Sequence, residues 1–161
     1  MADGMNILFI CSSNACRSPY CEFVFRRLVD SDPDLSGTIT VRSAGVLNPV
    51  FGMDHRTRNA LLLEGFSKEE TDAFHSTFSW THPNRFREAD VIIGMTKSHG
   101  RFLLPTWKRK FTTLSEAATG TYTAFPDPWF EPRMKPYLAA MEELKGYLEQ
   151  YANVLKENQK T

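Results

Sequence analysis

The segment NILFICSSNACRSP, residues 6–19, joins an unbroken apolar run to a polar loop. The apolar run at residues 6–10 is short and rich in β-formers, as expected of a strand that is buried on both faces. Beyond the loop, residues 19–29 carry apolar side chains at helical spacing. The loop of residues 11–18 therefore connects a strand to the first turn of a helix. Unpaired backbone N–H groups and the helix dipole meet there, and both favour an oxyanion.

The side chains in this loop are those that phosphoryl transfer requires. Cys11 stands at the mouth of the predicted helix with Arg17 nearby, which favours the thiolate, and a thiolate can attack phosphorus to form a covalent intermediate. The planar guanidinium of Arg17 can hold two phosphoryl oxygens. Asn14 tolerates a left-handed backbone, which would turn successive N–H groups into the loop, and Ser18 is placed to donate a hydrogen bond to the thiolate. The residues predicted to surround the phosphate are Ser12, Ser13, Asn14, Ala15, Cys16 and Ser18.

A second motif, FPDPWF at residues 125–130, supplies what the loop lacks. By itself, a cysteine six positions before an arginine is a weak signal, because a buried cysteine is commonly a small core residue. Departure of an alcohol or phenol requires a proton on the leaving oxygen, and a loop aspartate is a suitable general acid. Asp127 lies between two prolines that restrict the loop, and Trp129 offers an apolar wall for a flat substrate. The loop and Asp127 together predict the two halves of a phosphoryl-transfer site.

These motifs resemble those of the low-molecular-weight protein tyrosine phosphatase family. The family's N-terminal signature is matched by Cys11, Asn14, Cys16, Arg17, Ser18 and Pro19. Its late Asp-Pro-aromatic loop is matched by residues 127–129. Residues 43–45 (SAG) follow the second predicted strand as in the family, and residues 53–57 (MDHRT) are similar to a weaker family segment. The resemblance spans nearly the whole chain, with the motifs in the family's order.

The resemblance implies a cysteine-dependent phosphomonoesterase that acts through a cysteinyl-phosphate intermediate. Cys11 would be the nucleophile, and Arg17 would bind the phosphate and the transition state. Asp127 would be the general acid and then the base that activates water. The resemblance also implies a hydrogen-bond network that shapes the loop. Its candidate members are Asn14, Ser43 and His75.

Several departures from the family pattern bear on substrate choice and regulation. Ser13 stands where the family often has glycine, and the small Ala15 replaces a larger residue that bears on preference for phosphotyrosine or phosphoarginine. Trp129 and Phe130 occupy positions where tyrosines are frequent, so regulation by tyrosine phosphorylation of this loop is not expected. Residues 47–53, which are expected to form the variable wall of the cleft, form a shorter segment than is usual in the family.

The predicted substrate is phosphotyrosine in a protein or peptide. A protein arginine phosphatase is the main alternative, because it would share the machinery and differ only in substrate. An arsenate reductase of the same fold would need resolving cysteines in the middle of the chain, and none follows Cys21. A non-catalytic phosphate-binding module would need neither Cys11 nor Asp127. Phosphate-like oxyanions are expected to inhibit the enzyme.

Composition is that of a compact cytoplasmic enzyme. A chain of 161 residues with 42% hydrophobic content is expected to form one domain, residues 1–161, with a sizeable core. The 19 basic and 19 acidic side chains give no net charge, so neither nucleic acid nor a membrane is expected as a partner. No apolar stretch approaches the length of a membrane span, and the N-terminus lacks a secretory segment, which favours a cytoplasmic location.

The three cysteines, at positions 11, 16 and 21, fit neither a metal site nor a disulfide framework. The four histidines are scattered without ligand spacing, and no metal or other cofactor is expected. A reversible disulfide between Cys11 and Cys16 is predicted to protect the nucleophile from over-oxidation. Cys21 falls on the first predicted helix and is expected in the core.

The remaining sequence alternates between strand and helix patterns. Strands are predicted at residues 38–44, 90–95 and 111–114, and helices at residues 56–64, 98–103 and 135–158. Residues 69–84 are expected to form an irregular packed segment. This order predicts an α/β fold, a doubly wound, four-stranded parallel sheet flanked by helices in a flavodoxin-like three-layer sandwich. In such folds ligands bind beyond the carboxyl ends of the strands, which is where Cys11 is predicted to lie.

Overall fold

Four parallel strands form one sheet in the structure, a computed structural model that describes residues 4–50, 52–125 and 127–159. The strands are β1 (Met5–Cys11), β2 (Ile39–Gly45), β3 (Val91–Gly94) and β4 (Phe111–Thr113). Their order is β2-β1-β3-β4, so the first strand of the chain lies inside the sheet. A parallel strand with a neighbour on each side is buried along its length, which agrees with the uncharged run at residues 6–10.

Helices connect the strands and cover both faces of the sheet. In chain order they are α1 (Arg17–Asp30), α2 (His55–Leu63), α3 (Lys68–Asp72), α4 (Pro83–Glu88), α5 (Pro105–Lys108), α6 (Leu114–Thr119) and α7 (Met134–Gln159). Two 3-10 segments, Lys97–Phe102 and Pro128–Phe130, lie between them. Across the described ranges, no helix combines the length and the apolar character needed to cross a membrane.

The sheet separates two hydrophobic cores, because successive side chains of β1 point to opposite faces. Ile7 and Phe9 belong to one core, which α1 and α7 cover. Leu8 and Ile10 belong to the other, which is closed by α4 and α5. The result is a layer of helices on each side of the sheet, and the predicted fold class is confirmed.

The carboxyl ends of β1 and β2 meet where the polar loop begins. Cys11 is in register with Gly45, the last residue of β2. A Cβ atom at Gly45 would lie 2.9 Å from the Ser12 carbonyl oxygen and 2.9 Å from the Phe78 ring, so only glycine allows this close approach. The chain continues from β1 to β2 on one side, whereas β3 lies on the other side. The end of β1 is therefore the topological switch point, where folds of this kind bind ligands.

The short helices are the elements that the sequence pattern does not indicate. α4, α5 and α6 span only four to six residues each, too few for a helical repeat of apolar side chains to be visible. Local signals mark where they begin: α4 and α5 start with proline, and Thr113 caps α6 by accepting a hydrogen bond from the Glu116 amide. Residues 69–84, expected to be irregular, include most of α3 and the start of α4.

Candidate active site

A cavity of about 280 Å³ opens at the carboxyl edge of the sheet. Its walls come from the polar loop, from the segment after β2 and from the second motif. The lining residues are Cys11, Ser12, Ser13, Ala15, Cys16, Arg17, Asn48, Val50, Asp127, Trp129 and Phe130. The two predicted motifs, which are remote in sequence, therefore share one cavity.

The loop reaches its shape through one left-handed residue and the start of α1. Asn14 has a φ of 53°, in the left-handed region that asparagine tolerates better than most residues. Cys16 is the N-cap residue of α1 and Arg17 is its first residue, so the helix N-terminus lies at the cavity. The first turn of α1 contains no acidic side chain. The positive end of the helix dipole is thus available to an anion.

Cys11 lies in the cavity wall, and its sulfur is 3.0 Å from the Ser18 hydroxyl oxygen. Ser18 Oγ also accepts a hydrogen bond from Asn14 Nδ2 at 2.9 Å. Because an amide nitrogen only donates, the Ser18 proton is left to point at Cys11 Sγ. Ser18 therefore donates to the sulfur, and this hydrogen bond stabilises the anionic form that a nucleophile needs.

The same asparagine extends the network to Glu22. Asn14 Nδ2 also donates to Ser43 Oγ at 2.9 Å, and Ser43 Oγ donates to Glu22 Oε1 at 2.6 Å. Glu22 is buried on α1, and its second oxygen pairs with Arg26 Nη2 at 2.9 Å. A carboxylate at one end, which only accepts, sets the direction of the hydrogen bonds that follow. The predicted members Asn14 and Ser43 are thus brought together.

The neighbours of His75 take part in this network, whereas His75 itself does not. The Thr77 amide donates to Asn14 Oδ1 at 2.9 Å, and the Ser76 hydroxyl donates to the Asn14 carbonyl at 2.9 Å. His75 is exposed, and across the described ranges no hydrogen bond joins it to the network. Asn14 is satisfied by a backbone amide and a hydroxyl, so the supporting position predicted for His75 is occupied by Ser76 and Thr77.

Arg17 is buried beside the cavity and faces the second motif. Its Nη1 donates to the Phe125 carbonyl at 3.0 Å, across 108 positions of the chain, and its Nη2 lies 3.4 Å from Asp127 Oδ2. The Nε atom is buried and has no hydrogen-bond partner within the described part of the chain. A buried guanidinium N–H without an acceptor is costly. An oxyanion bound in the loop would supply that acceptor.

Asp127 is held by the turn that follows it. Its Oδ1 accepts a hydrogen bond from the Trp129 amide at 3.0 Å, which caps the segment Pro128–Phe130 and leaves Oδ2 facing Arg17. The side chain is 40% exposed, so it can reach a substrate in the cavity. Of the two prolines predicted to restrict Asp127, Pro126 lies outside the described residues.

Apolar side chains form the outer walls of the cavity. Trp129 is 38% exposed and Phe130 is 85% exposed, and both line the cavity from the second motif. Asn48 and Val50 line it from residues 47–53, the segment predicted as the variable wall. Phe51 of that segment lies outside the described residues. The walls are therefore aromatic on one side and mixed on the other.

Cys16 is held as a thiol next to the loop. Its sulfur accepts a hydrogen bond from the Tyr137 hydroxyl at 3.2 Å, and that hydroxyl lies 2.6 Å from Thr57 Oγ1. Burial raises the pKa of Cys16 to about 12, although the hydrogen bond from Tyr137 opposes the rise. At neutral pH Cys16 is thus protonated, which is the poor form for attack. All three cysteines are free, Cys21 lies in the core, and the disulfide between Cys11 and Cys16 stays a prediction.

Comparison with known proteins identifies the family. The sequence pattern of low molecular weight phosphotyrosine protein phosphatase matches residues 6–161. The chain belongs to this family. Among its curated relatives, a protein-arginine-phosphatase of Bacillus subtilis is 28% identical over 97% of this chain and 100% of the relative. A low molecular weight protein-tyrosine-phosphatase of Streptomyces coelicolor is 29% identical over 79% of each chain.

A solved structure links the family fold to its covalent chemistry. A YwlE arginine phosphatase, in a cysteine-to-serine mutant with a phosphorylated active-site serine, aligns with a TM-score of 0.82 and 26% identity. The alignment covers 97% of this chain and 99% of that chain. This low molecular weight phosphatase is a cysteine-dependent phosphomonoesterase that acts through a cysteinyl-phosphate intermediate.

Several residues of the phosphatase site are not indicated by its sequence motifs. Glu22 lies one helical turn after Ser18, which places it on the loop-facing side of α1. This spacing is the sequence signal that could identify it as a member of the network. Asp54 and Arg56 lie in the weaker family segment, which does not reveal what they contact. Thr77 lies in the irregular segment, where no periodicity marks a residue. Across the described ranges, no group of His, Cys, Asp or Glu side chains is arranged to hold a metal ion.

Proposed function

We propose that this phosphatase removes phosphate from phosphotyrosine in proteins, with Cys11 as nucleophile, Arg17 as phosphate-binding group and Asp127 as general acid and base. The observation that carries the proposal is the placement of Arg17. It begins α1 at the end of residues 11–18, the thiol loop, and its guanidinium lies 3.4 Å from the carboxylate of Asp127. One buried cation thus lines the same cavity as the two groups that must act on opposite sides of a phosphoryl group.

In the first step, the Cys11 thiolate attacks phosphorus, so that an S–P bond forms and the ester P–O bond breaks. Asp127, as the carboxylic acid, gives its proton to the departing oxygen, and tyrosine leaves as a neutral phenol. Arg17 and the N–H groups at the start of α1 bind the equatorial phosphoryl oxygens while charge is redistributed.

In the second step, a water oxygen attacks phosphorus and the S–P bond breaks. Asp127, now a carboxylate, accepts a proton from that water. The departing Cys11 thiolate receives the Ser18 hydrogen bond, across 3.0 Å, as its charge returns. Inorganic phosphate leaves, and both Cys11 and Asp127 are back in their starting forms.

The cavity walls support an aromatic substrate. Trp129 and Phe130 offer ring faces and edges on which a phenyl ring can stack. Among the cavity-lining residues within the described ranges, Asp127 is the one carboxylate. A phosphorylated guanidinium carries extra N–H donors, and they would compete for the same carboxylate that must deliver the proton. These features favour phosphotyrosine.

Phosphoarginine is the second candidate substrate. The small Ala15 lines the cavity and leaves space directly above the loop. The Bacillus subtilis relative, similar over its whole length, is named a protein-arginine-phosphatase. The same residues would then cleave a P–N bond, with the proton from Asp127 going to nitrogen.

The proposed partner is a phosphorylated protein or peptide, in keeping with the family. Phosphate-like oxyanions are expected to compete with it, because they fit the same N–H groups and guanidinium. The absence of net charge supports a phosphoprotein as the target, in preference to nucleic acid or a membrane surface, and the proposal places the reaction in the cytoplasm.

Paired peptides of one sequence, carrying either phosphotyrosine or phosphoarginine, test the substrate. We expect kcat/KM to be at least about 10-fold higher for the phosphotyrosine peptide, because only this substrate stacks a ring on the aromatic wall and leaves Asp127 uncontested. Release of inorganic phosphate measures both reactions. A higher kcat/KM for the phosphoarginine peptide would reverse the order of the two candidates.

Cys11→Ser is the variant that tests the mechanism. A serine hydroxyl is a far poorer nucleophile, so hydrolysis of p-nitrophenyl phosphate should fall at least about 1,000-fold while the circular dichroism spectrum is unchanged. Cys21→Ala, a change at a core cysteine, is the matched control and should keep most of the turnover. Retained turnover in Cys11→Ser would contradict the role of Cys11.

A further inference from the structure

The guanidinium of Arg56 contacts the segment that carries Asp127. Residues 127–131 are called the acid loop below. Arg56 Nη2 donates to the Trp129 carbonyl at 2.9 Å. Its Nη1 donates to the carbonyl of Glu131 and lies 3.5 Å from that of Pro128. One side chain from α2 thus donates to two carbonyl groups of the acid loop and approaches a third.

The opposite edge of the guanidinium is fixed by Asp54. Arg56 Nε donates to Asp54 Oδ1 at 3.0 Å, and Arg56 Nη2 donates to Asp54 Oδ2 at 3.1 Å. This two-point pairing fixes the plane of the guanidinium as well as its position. Asp54 also caps α2 through its Oδ1, which accepts from the Arg56 amide at 2.8 Å. The helix start and the guanidinium are therefore held by one carboxylate.

The start of α2 is in turn attached to the thiol loop. The Asp54 amide donates to the Ala15 carbonyl with an N···O distance of 2.9 Å. The Thr57 hydroxyl, which donates to the Tyr137 hydroxyl at 2.6 Å, also lies 3.2 Å from the Cys16 carbonyl oxygen. A continuous set of hydrogen bonds therefore runs from the loop around Cys11, through Asp54 and Arg56, to the acid loop.

Burial makes these contacts strong. Arg56 is 9% exposed, and its guanidinium lies over the Tyr137 ring, 4.6 Å from the ring centroid. The hydrogen bonds with Asp54 raise the pKa of Arg56 although burial opposes this. Burial works to raise the pKa of Asp54, but the hydrogen bonds from Arg56 outweigh it and the pKa is lowered. Both groups are charged at neutral pH, and neither can lose its partner without leaving a poorly solvated charge.

We propose that Arg56 is a positioning residue for the general acid: together with Asp54 it fixes the distance and orientation of the acid loop relative to the thiol loop. This inference rests on the proposed role of Asp127 as general acid. Arg56 itself lines no part of the cavity and touches no reacting atom. Its effect is to hold Asp127 where its proton meets the leaving oxygen, and proton transfer is sensitive to that distance.

A guanidinium is required for this role. Its planar arrangement of five N–H donors reaches the carboxylate on one edge and the loop carbonyls on the other. A lysine ammonium keeps the charge but has a single nitrogen, so it cannot serve both sides at once. Arg56→Lys therefore removes the connection while leaving a cation opposite Asp54.

The test compares two esters with different leaving groups. Phenyl phosphate has a poor leaving group that needs the proton, whereas 2,4-dinitrophenyl phosphate has a good one that does not. We expect Arg56→Lys to lower kcat/KM about 30-fold for phenyl phosphate and less than about 3-fold for the dinitrophenyl ester. The inhibition constant of inorganic phosphate should change less than about 2-fold, because the guanidinium of Arg17 is untouched.

Arg58→Lys is the matched control. Arg58 lies on the same helix, but its side chain is 38% exposed and it pairs with Asp72 at 3.4 Å, away from the acid loop. An exposed pair of this kind contributes little, so both esters should react within about 2-fold of the wild-type rate.

If Arg56→Lys does not fold, Asp54→Asn serves in its place, because asparagine still caps α2 but no longer pairs with the guanidinium as a charged partner.

Asp127→Asn, alone and combined with Arg56→Lys, shows whether Arg56 acts through Asp127. In the Asp127→Asn background the acid is absent, so adding Arg56→Lys should cost less than about 2-fold more on phenyl phosphate. Losses that multiply, or an equal loss on both esters from Arg56→Lys, overturn the positioning role. If Asp127→Asn itself slows both esters equally, the general-acid assignment fails, whatever Arg56→Lys does.

Discussion

Asn14 sets the direction of the hydrogen bonds around Cys11, because its amide nitrogen only donates. It donates at 2.9 Å to both Ser18 and Ser43, so both hydroxyl protons must point elsewhere. One points to Cys11 and the other to Glu22. Because Glu22 accepts the Ser43 proton, the Asn14 amide nitrogen must face the two hydroxyls. At the residue scale, this buried carboxylate, which lies outside the cavity, thus helps to direct the Ser18 hydrogen bond toward Cys11.

Replacing Glu22 tests this dependence. Glu22→Leu leaves the buried Ser43 hydroxyl without its acceptor, so the unfolding free energy should fall by about 1–3 kcal/mol and turnover should slow. Glu22→Gln keeps an acceptor oxygen and should lose less than about half as much of the unfolding free energy, although its ion pair with the partly exposed Arg26 is also lost. Urea denaturation and p-nitrophenyl phosphate hydrolysis measure the two effects. Equal losses in both variants would show that the acceptor does not matter.

Backbone conformation determines what a glycine contributes to a helix. α6 ends at Gly120, whose φ of 80° is left-handed and costly for any residue with a side chain. α7 contains Gly146 in its interior, where glycine weakens a helix. A Cβ at either glycine would meet nothing within 4 Å. At the scale of the element, the two positions therefore differ in conformation and not in available space.

The same substitution should have opposite effects at these two glycines. Gly120→Ala forces alanine into a left-handed conformation and should lower the unfolding free energy by about 1 kcal/mol. Gly146→Ala improves a helical position and should raise the unfolding free energy by about 0.5–1 kcal/mol. Thermal and urea denaturation of the two variants measure the effects. Shifts in the same direction would contradict the conformational explanation.

At the scale of the whole molecule, the core that α1 and α7 cover buries several ionisable groups in their neutral forms. Burial raises the pKa of Cys16 and of Tyr151 to about 12 each, and it also raises those of Tyr20, Tyr137 and Cys21. In the unfolded chain these thiols and phenols ionise at their ordinary values of 9.0 and 10.0. Above those values the folded protein holds more protons than the unfolded chain. The contribution of these groups to stability is therefore complete below about pH 9 and falls as pH rises above it.

Tyr151→Phe isolates one contribution to this alkaline loss. Burial alone raises the pKa of Tyr151 from 10.0 to about 12, so over that range its ionisation in the unfolded chain lowers stability by up to about 1.4 kcal/mol per pH unit. The variant should match the wild type within about 1.5 kcal/mol at pH 8 and lose stability less steeply above pH 10. Urea denaturation across this range measures the slopes. Parallel curves would contradict the prediction.

The sequence predicts the sheet and brings most of the candidate catalytic groups into view because their signals are local. The strand before Cys11, the helix after Arg17 and the proline-flanked Asp127 can each be identified within a few residues of the chain. Their order predicts a parallel sheet, and the sheet places the first two at its carboxyl edge.

The remaining features depend on contacts between segments that are distant in sequence. In the sequence, Glu22 looks like an ordinary charged residue on a helix. Its role becomes visible only when β2 places Ser43 against it. Among the residues that the structure describes, Ser76 and Thr77 bond to Asn14, whereas His75 does not. In an irregular segment no periodicity shows which residue faces the loop, so the sequence does not distinguish these three positions. The contacts of Arg56 and Asp54 require both the loop of residues 11–18 and the acid loop to be in place. These contacts join segments that are distant in sequence, so local sequence patterns do not indicate them.

The long separation between the two motifs also orders events during synthesis. Arg17 meets the Phe125 carbonyl across 108 positions, so the thiol loop leaves the ribosome long before the acid loop exists. Protein chains emerge N-terminus first, at a rate of roughly 5–20 residues per second. A nascent chain therefore carries an incomplete site, and full hydrolytic competence begins only after translation has passed Phe130 and α7 can dock.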